Sequence, residues 1–283
     1  MNYKSIKLVL PLLIVLLLGS LYSATAGKLP VSSTNEIQLK ALNGIYKFTG
    51  KLNNKIPVFL WFVVQDGFVK GEVTYLKTTR KIPITIAGTI FKADDPRRNA
   101  DKTSYFDIRI FEFMKDGTIT GVYYGPFQTS VLNGAWFAPG SEKELKFTLK
   151  AKDTTLNNID TNLKPVSITG EYAYSFGKEH ANGGMGIKSL GRDNYLMEVG
   201  CVTDGPAYNL ANVDATKIHL TNNSTVFQPA DPGCRFKIRF FKNFLVIDYL
   251  GPSINPCGFG NNASIEGVFI KTSEKARIEE INH

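Results

Sequence analysis

The sequence predicts an all-β protein: two tandem, roughly eight-stranded antiparallel domains, each a barrel or a sandwich, after a cleaved signal peptide. Aromatic residues make up 12% of the 283-residue chain and glycines number 25, which is typical of strands joined by tight turns. Short apolar and β-branched runs recur between Gly, Asn, Asp and Pro, as in successive strands. The two halves of the chain also open on the same motif.

The N-terminus predicts export. Two lysines among the first seven residues are followed by an apolar run over residues 8–18. Residues 23–26, Ser-Ala-Thr-Ala, match the small-residue pattern at which signal peptidases cleave. The run is shorter than the roughly 20 residues that cross a bilayer. We expect residues 1–26 to be removed, residues 27–40 to be flexible, and the product to be periplasmic or extracellular, without a transmembrane segment.

The first half of the chain has the rhythm of a β domain spanning residues 41–151. Its clearest strand covers residues 69–75, where valines and a tyrosine alternate with charged residues. Residues 58–64 are apolar throughout, which predicts a strand covered on both faces. The expected strands are 44–50, 56–65, 68–77, 82–90, 105–113, 117–124, 131–137 and 145–151.

The second half repeats this organisation. Residues 152–165 are rich in Asn, Thr and Asp and are interpreted as a linker. A second β domain then spans residues 166–272, and residues 273–283 form a C-terminal tail. Its expected strands are 169–177, 184–190, 194–202, 215–220, 223–229, 234–241, 244–250 and 264–271.

Two sequence echoes indicate an internal duplication. The halves open on Gly-x-Tyr-x-aromatic, at residues 44–48 and 170–174. Near their ends, residues 132–136 and 265–269 share an aliphatic-x-Gly-x-aromatic pattern. We expect these motifs to place aromatic residues on neighbouring strands where each barrel closes.

The chain has three cysteines, Cys201, Cys234 and Cys257. Outside the cytoplasm two of them are expected to pair, and sequence alone does not fix which two. We favour Cys234–Cys257, because each lies beside a turn glycine and the segment between them has the pattern of a hairpin. Cys201 would then be a buried free thiol or, alternatively, a reactive one.

Eight short antiparallel strands either close into an up-and-down barrel, which removes unpaired edges, or pack as two sheets. The opening Gly-x-Tyr at residues 44–46 and 170–172 resembles the Gly-x-Trp of the first strand in the calycin group. The size and disulfide content of the second half resemble small exported inhibitors of lysozyme. These resemblances imply eight-stranded barrels over residues 41–272, and they carry over no active residue.

Few residues support catalysis. The three histidines, His180, His219 and His283, lack companions at metal-ligand spacing, and no Gly-x-Ser-x-Gly motif is present. We expect no metal, no cofactor and no nucleophile–base set. Glu112 alternates in phase with Phe106, Ile108 and Ile110, whose side chains are expected to face the barrel interior. It either points into the barrel, where a second carboxylate would allow glycoside hydrolysis, or is rotated outward by a β-bulge after Ile110.

Two groups of residues are candidates for binding. Arg235, Lys237 and Arg239 alternate, so they share one strand face about 7 Å apart. This basic stripe could hold an anionic polymer or a carboxylate-bearing partner, or be a solvated face neutralised by acids on the next strand. The second group consists of aromatic residues that could stack on sugars but also fill cores: Trp61, Tyr75, Tyr123 and Tyr124.

Net charge and the motifs present limit the classes of function that the sequence supports. The formal net charge of +8 falls to +6 without the two signal-peptide lysines, and no Arg-rich tract or nucleic-acid motif is present. We expect a non-enzymatic binding protein of the bacterial envelope, with a macromolecular or small ligand that is anionic if the basic stripe contacts it. The alternatives are an inhibitor of a secreted hydrolase, acting through loop 93–104 or 205–213, and a polysaccharide hydrolase that uses Glu112.

Overall fold

The computed structural model describes residues 38–93, 106–155, 160–229, 233–251 and 257–278. The expected signal peptide, residues 1–26, and most of the segment 27–40 lie outside these ranges, as does nearly all of loop 93–104. The described part of the chain is built of sixteen strands. None of its helices combines the length and the apolar character needed to cross a membrane. The all-β prediction is confirmed.

The first eight strands form a closed antiparallel barrel, called barrel 1, in which each strand pairs with the next and β1 also pairs with β8. Closure uses residues 48–52 of β1 opposite residues 147–151 of β8. The strands are β1 (Gly44–Leu52), β2 (Ile56–Gln65), β3 (Phe68–Tyr75), β4 (Ile84–Lys92), β5 (Phe106–Phe113), β6 (Ile119–Pro126), β7 (Val131–Phe137) and β8 (Leu145–Ala151).

The second eight strands form barrel 2, which has the same strand order but one opening. Strands β9 and β16 pair as β1 and β8 do, whereas β12 and β13 are the two edges of the sheet. The strands are β9 (Gly170–Ser175), β10 (Asn182–Gly191), β11 (Asn194–Val202), β12 (Leu210–His219), β13 (Ser224–Phe227), β14 (Phe236–Phe241), β15 (Phe244–Tyr249) and β16 (Gly267–Ser273).

Most strand bounds agree with the sequence within three residues, and β12 is the exception. It was expected over 215–220 but begins at Leu210, opposite Val202 of β11. A bulge between Met197 and Val199 of β11 shifts the register between the two parts of this pairing. The first residues of β12 were expected to form a loop. They form a strand because the neighbouring edge of β11 supplies hydrogen-bond partners for their backbone groups.

The Gly-x-Tyr motif builds the same local structure in both barrels. The Tyr46 hydroxyl donates a hydrogen bond to the Leu42 carbonyl oxygen at 2.8 Å, and the Tyr172 hydroxyl donates to the Ile168 carbonyl oxygen at 2.8 Å. In each case an aliphatic residue two positions before the glycine supplies the acceptor. The repeated unit is therefore aliphatic-x-Gly-x-Tyr, a longer match than the sequence analysis used.

The late motifs, in contrast, are not equivalent. Residues 132–136 lie on β7, the seventh strand of barrel 1, whereas Gly267 and Phe269 lie on β16, the eighth strand of barrel 2. Only in barrel 2 does the late motif pair directly with the strand that carries Gly-x-Tyr. The prediction that both motifs meet at both closures is wrong for barrel 1, where β8 intervenes.

The two barrels pack against each other through outward-facing apolar side chains. Their shared cluster contains Ala87, Phe113, Ile119, Val122, Phe244, Val246, Val268 and Ile270, all buried. Strand β15 is consequently buried on both faces over residues 244–247. Strand β2, expected to be covered on both faces, instead leaves Phe59 and Trp61 half-buried on its outer side.

The three cysteines lie in barrel 2, and two of them are bonded. Cys234 and Cys257 form the expected disulfide, with 4.8 Å between their Cα atoms. Cys201 is a buried free thiol, and burial raises its pKa to about 11, which keeps it protonated at neutral pH.

The expected linker and C-terminal tail both pack against the barrels. In the linker, Leu163 is buried and its carbonyl oxygen accepts a hydrogen bond from the Lys242 amide. In the tail, Ile278 is buried above Gly186.

Candidate functional site

A groove of about 1000 Å³ runs between the two barrels and is called the inter-barrel groove. Barrel 1 contributes the turn between β2 and β3 together with the end of β4 and the start of β5. Barrel 2 contributes the outward faces of β14 and β15 and the turn before β13. The site therefore exists only because the shared apolar cluster holds the two barrels side by side.

The charged side chains of the groove are mostly cationic. Its two carboxylates are Asp66 and Asp248. Its six cations come from both barrels and from the connecting segments: Lys40, Lys92, Arg109, Lys164, Lys237 and Arg239. Six cations against two carboxylates leave the groove with an excess of positive charge, so we expect it to attract anions.

Only two of the three cations of the basic stripe lie in the groove. Lys237 and Arg239 line the groove, as their alternation on one strand face requires, whereas Arg235 precedes β14, is exposed and lies outside the groove lining. Arg239 forms an ion pair with Asp248 of β15 and lies over the ring of Phe68, 4.8 Å from its centroid. Within the described residues Lys237 forms no ion pair.

Phenyl rings supply the apolar surface of the groove. Phe68 of barrel 1 contacts Phe241 of barrel 2, with 4.6 Å between ring centroids. Phe91 is 39% exposed, and the Arg109 guanidinium lies 5.9 Å from its ring centroid. These rings offer flat surfaces beside the cations, an arrangement suited to a ligand that carries both anionic and apolar or ring groups.

Three lining residues were not predicted from the sequence: Phe68, Phe91 and Arg109. These residues alternate with the inward-facing residues of their strands, so the sequence pattern placed them on the outer face of the sheet. The sequence does not indicate which outer faces of the two barrels contact each other. The groove lining contains no histidine, cysteine or glutamate among the residues that the structure describes. The cations and rings of the lining are groups that bind anionic and apolar parts of a ligand.

Glu112 points into barrel 1 and is 1% exposed. The β-bulge lies between Glu112 and Phe113, one step after the carboxylate, so the expectation of a bulge that rotates Glu112 outward is wrong. The Tyr75 hydroxyl donates to Glu112 Oε1 at 2.6 Å, and the Thr120 hydroxyl donates to Oε2 at 3.3 Å. Trp136 Nε1 lies 3.4 Å from Oε1 and donates as well.

Burial dominates the electrostatics of this cluster. It raises the pKa of Glu112, and the donated hydrogen bonds oppose that shift only in part. The pKa of Tyr123, whose buried hydroxyl lacks a hydrogen bond of good geometry, is raised well above its ordinary value by burial and then by the Glu112 charge. At Gly121 a Cβ atom would lie 2.4 Å from Trp136 Nε1, so only glycine leaves room for the cluster.

The candidate residues do not form one site. Glu112 is the one buried acidic residue among the described ranges, and its hydrogen-bond partners are Tyr75, Thr120 and Trp136 rather than a second acid. Trp61 lies on the outer face of β2 and donates to Glu72 at 3.3 Å, outside the groove. Across the described ranges no group of three His, Cys, Asp or Glu residues is arranged to hold a metal ion.

Comparison of the chain with family models, with curated proteins and with solved structures finds no match. The function has therefore to be argued from the geometry and charge of the inter-barrel groove.

Proposed function

We propose that this protein is an exported, non-enzymatic binding protein of the bacterial envelope that holds an anionic ligand in the inter-barrel groove. One observation carries the proposal: a groove of about 1000 Å³ lined by six cations and two carboxylates, with phenyl rings between them. Export rests on the basic, apolar and small-residue pattern of the first 26 residues.

The geometry favours an extended ligand with repeated anionic groups. Lys237 and Arg239 are two residues apart on β14, so their side chains leave the strand about 7 Å from each other. Lys92 and Arg109 add cations from the opposite wall, on barrel 1. A polymer or an amphipathic molecule with several anionic groups would contact both walls, whereas a single small anion would contact one.

Lys92 and Lys237 are the best residues for a test. Each lines the groove from a different barrel, and neither forms an ion pair within the described ranges, so replacing both leaves no carboxylate without its partner. Lys146 and Lys150 provide the matched control, because they are exposed, share one face of β8 four residues apart, and lie outside the groove lining.

The experiment is calorimetric titration of the protein with dextran sulfate, with uncharged dextran as the ligand control. Wild type is expected to bind dextran sulfate with an affinity that falls as salt rises. K92Q/K237Q is expected to bind about tenfold more weakly, which is about 1.4 kcal/mol. K146Q/K150Q removes the same charge and is expected to bind like wild type. Equal losses in both variants would show general attraction to a basic protein and would overturn the proposal.

A further inference from the structure

The end of barrel 1 opposite the groove carries a second unusual surface. Residues 76–83 connect β3 to β4 with the sequence Leu-Lys-Thr-Thr-Arg-Lys-Ile-Pro, and every one of them is exposed. Ile82 is 62% exposed and Leu76 is 37% exposed, although aliphatic side chains of this size are more often buried. The loop contains three cations and no acid.

The neighbouring turn extends this surface. The Leu76 amide donates to the Pro57 carbonyl oxygen at 2.9 Å, so the β2–β3 ladder continues to the rim of the barrel. Ile56, one residue before Pro57, is 36% exposed, and Lys55 is exposed in the turn before it. We call residues 53–56 and 76–83 the barrel-1 rim.

Hydrogen bonds to backbone atoms hold these loops in place. The Thr78 hydroxyl donates to the Tyr75 carbonyl oxygen at 2.8 Å, and the Lys55 amide donates to the Leu52 carbonyl oxygen at 3.0 Å. These bonds fix the base of each loop against the end of its strand. Its exposed aliphatic side chains stand on two separate loops and do not line a cavity.

Charge at the rim has one sign. Its cations are Lys55, Lys77, Arg80 and Lys81, and none of them forms an ion pair within the described residues. The adjacent loop, residues 138–144, contains Glu142 and Glu144, and Glu144 accepts a hydrogen bond from the Tyr124 hydroxyl at 2.6 Å. No acidic residue stands within the rim itself.

We propose that the barrel-1 rim docks the protein on an anionic lipid surface. Ile56, Leu76 and Ile82 enter the interfacial layer, and the flanking cations contact lipid phosphates. Exposed aliphatic groups flanked by Lys and Arg are the combination that binds peripheral proteins to anionic bilayers. Three aliphatic side chains and four cations provide weak, reversible attachment.

The rim and the groove act separately. Strand β3 runs from Phe68 at the groove to Tyr75 at the rim, which separates the two surfaces by about 23 Å of strand. A protein docked through the rim would keep the inter-barrel groove open to a ligand. The proposal does not depend on the groove having the function proposed above.

Cosedimentation with lipid vesicles tests the proposal. The exported protein is expected to sediment with vesicles of phosphatidylglycerol and phosphatidylcholine in equal parts, and not with pure phosphatidylcholine. L76S/I82S is expected to reduce the bound fraction at least about fivefold, and K77Q/R80Q/K81Q is expected to do the same while making residual binding less sensitive to salt. All five positions are exposed, so each variant should keep the wild-type melting temperature.

The controls remove equivalent groups elsewhere. V166S/L210S replaces two aliphatic residues that are 90% and 52% exposed outside the rim, and it is expected to sediment like wild type. K178Q/R192Q/K217Q, which removes three exposed charges from barrel 2, controls for charge in the same way. Equal sedimentation with both kinds of vesicle, no sedimentation with either, or equal losses in the control variants would each overturn the proposal. Absence of binding to both would leave the rim as a surface for a protein partner.

Discussion

Barrel 1 and barrel 2 have the same strand order but are closed by different means. Barrel 1 is hydrogen-bonded around its whole circumference and has a buried polar cluster around Glu112. Barrel 2 lacks pairing between β12 and β13 and has instead a disulfide that joins the residues just before β14 to the segment before β16. Cys234 lies just before β14, the strand that pairs with edge strand β13, so we expect the covalent link to stabilise the strands beside the gap that lack a complete ladder.

The shared face is where the two barrels depend on each other most. Phe244 is fully buried in the cluster between them and stacks on Phe241 with 4.6 Å between ring centroids. We expect F244A to lower the free energy of unfolding by about 3–5 kcal/mol, because it leaves a cavity where both sheets meet. Urea unfolding followed by circular dichroism measures this change.

The control for this prediction is V226A. Val226 is 50% exposed on β13, outside the cluster, and its truncation is expected to change stability by less than about 0.5 kcal/mol. If F244A cost no more than V226A, the two barrels would be adjacent without stabilising each other, and the shared apolar face would have no energetic role.

The disulfide should matter only to barrel 2. Cys234 and Cys257 are 23 residues apart, and opening that loop is expected to cost about 3 kcal/mol by the chain-entropy model. C234S/C257S should therefore unfold at lower urea than wild type, and hydrogen exchange should rise in β13 and β14 before it rises in β1 and β8. A reducing agent should have the same effect on wild type.

Cys201 supplies the matched control for the reduction experiment. It is a free thiol, so C201A should keep the full response to reducing agent, while C234S/C257S should have none. Unchanged stability of wild type on reduction would mean that packing alone holds the strands beside the opening.

The last expected effect is confined to barrel 1 and depends on pH. The pKa of Glu112 is raised above 4.5 by burial, so the folded state binds its proton more tightly than the unfolded state. The stabilisation is complete below pH 4.5 and is lost as pH rises through the folded pKa. We expect E112Q to remove this loss, which amounts to at most about 1.4 kcal/mol per pH unit.

Thermal unfolding of wild type and E112Q between pH 4 and pH 8 measures the difference. E72Q is the control, because Glu72 also accepts a hydrogen bond from a tryptophan, Trp61, but does so on the outer face of β2. E72Q should retain the wild-type pH dependence. Parallel curves for wild type and E112Q would contradict a raised pKa at Glu112.

The strands and the disulfide could be predicted from sequence because their signals are local. Alternation in β3 and the Gly, Asn and Asp residues at turns determine where strands begin and end. Strand β12 was missed because its first residues form a strand only through pairing with β11. The alternation of β5 correctly indicated that Glu112 shares the face of Ile108 and Ile110. The position of the bulge depends on how β5 and β6 pair, and the local sequence does not encode that pairing.

The groove itself was not predicted; only two of its residues, Lys237 and Arg239, were named as candidates from the sequence. Alternation identified Lys237 and Arg239 as sharing one face, but the partners of that face belong to another sheet. Phe68 is far from Phe241 in sequence, and their contact follows from the shared cluster rather than from any motif. Packing between preformed sheets is a long-range property that one sequence without related sequences does not reveal.

Hydrogen exchange of the protein with and without saturating dextran sulfate tests the central claim, that the anionic ligand lies between the barrels. The account predicts slower exchange at residues 65–68, 89–92 and 237–241, which line the groove from both barrels. K92Q/K237Q should lose this protection, and K146Q/K150Q should keep it. Protection confined to residues 53–56 and 76–83 of the rim, or absent from the groove, would contradict the account.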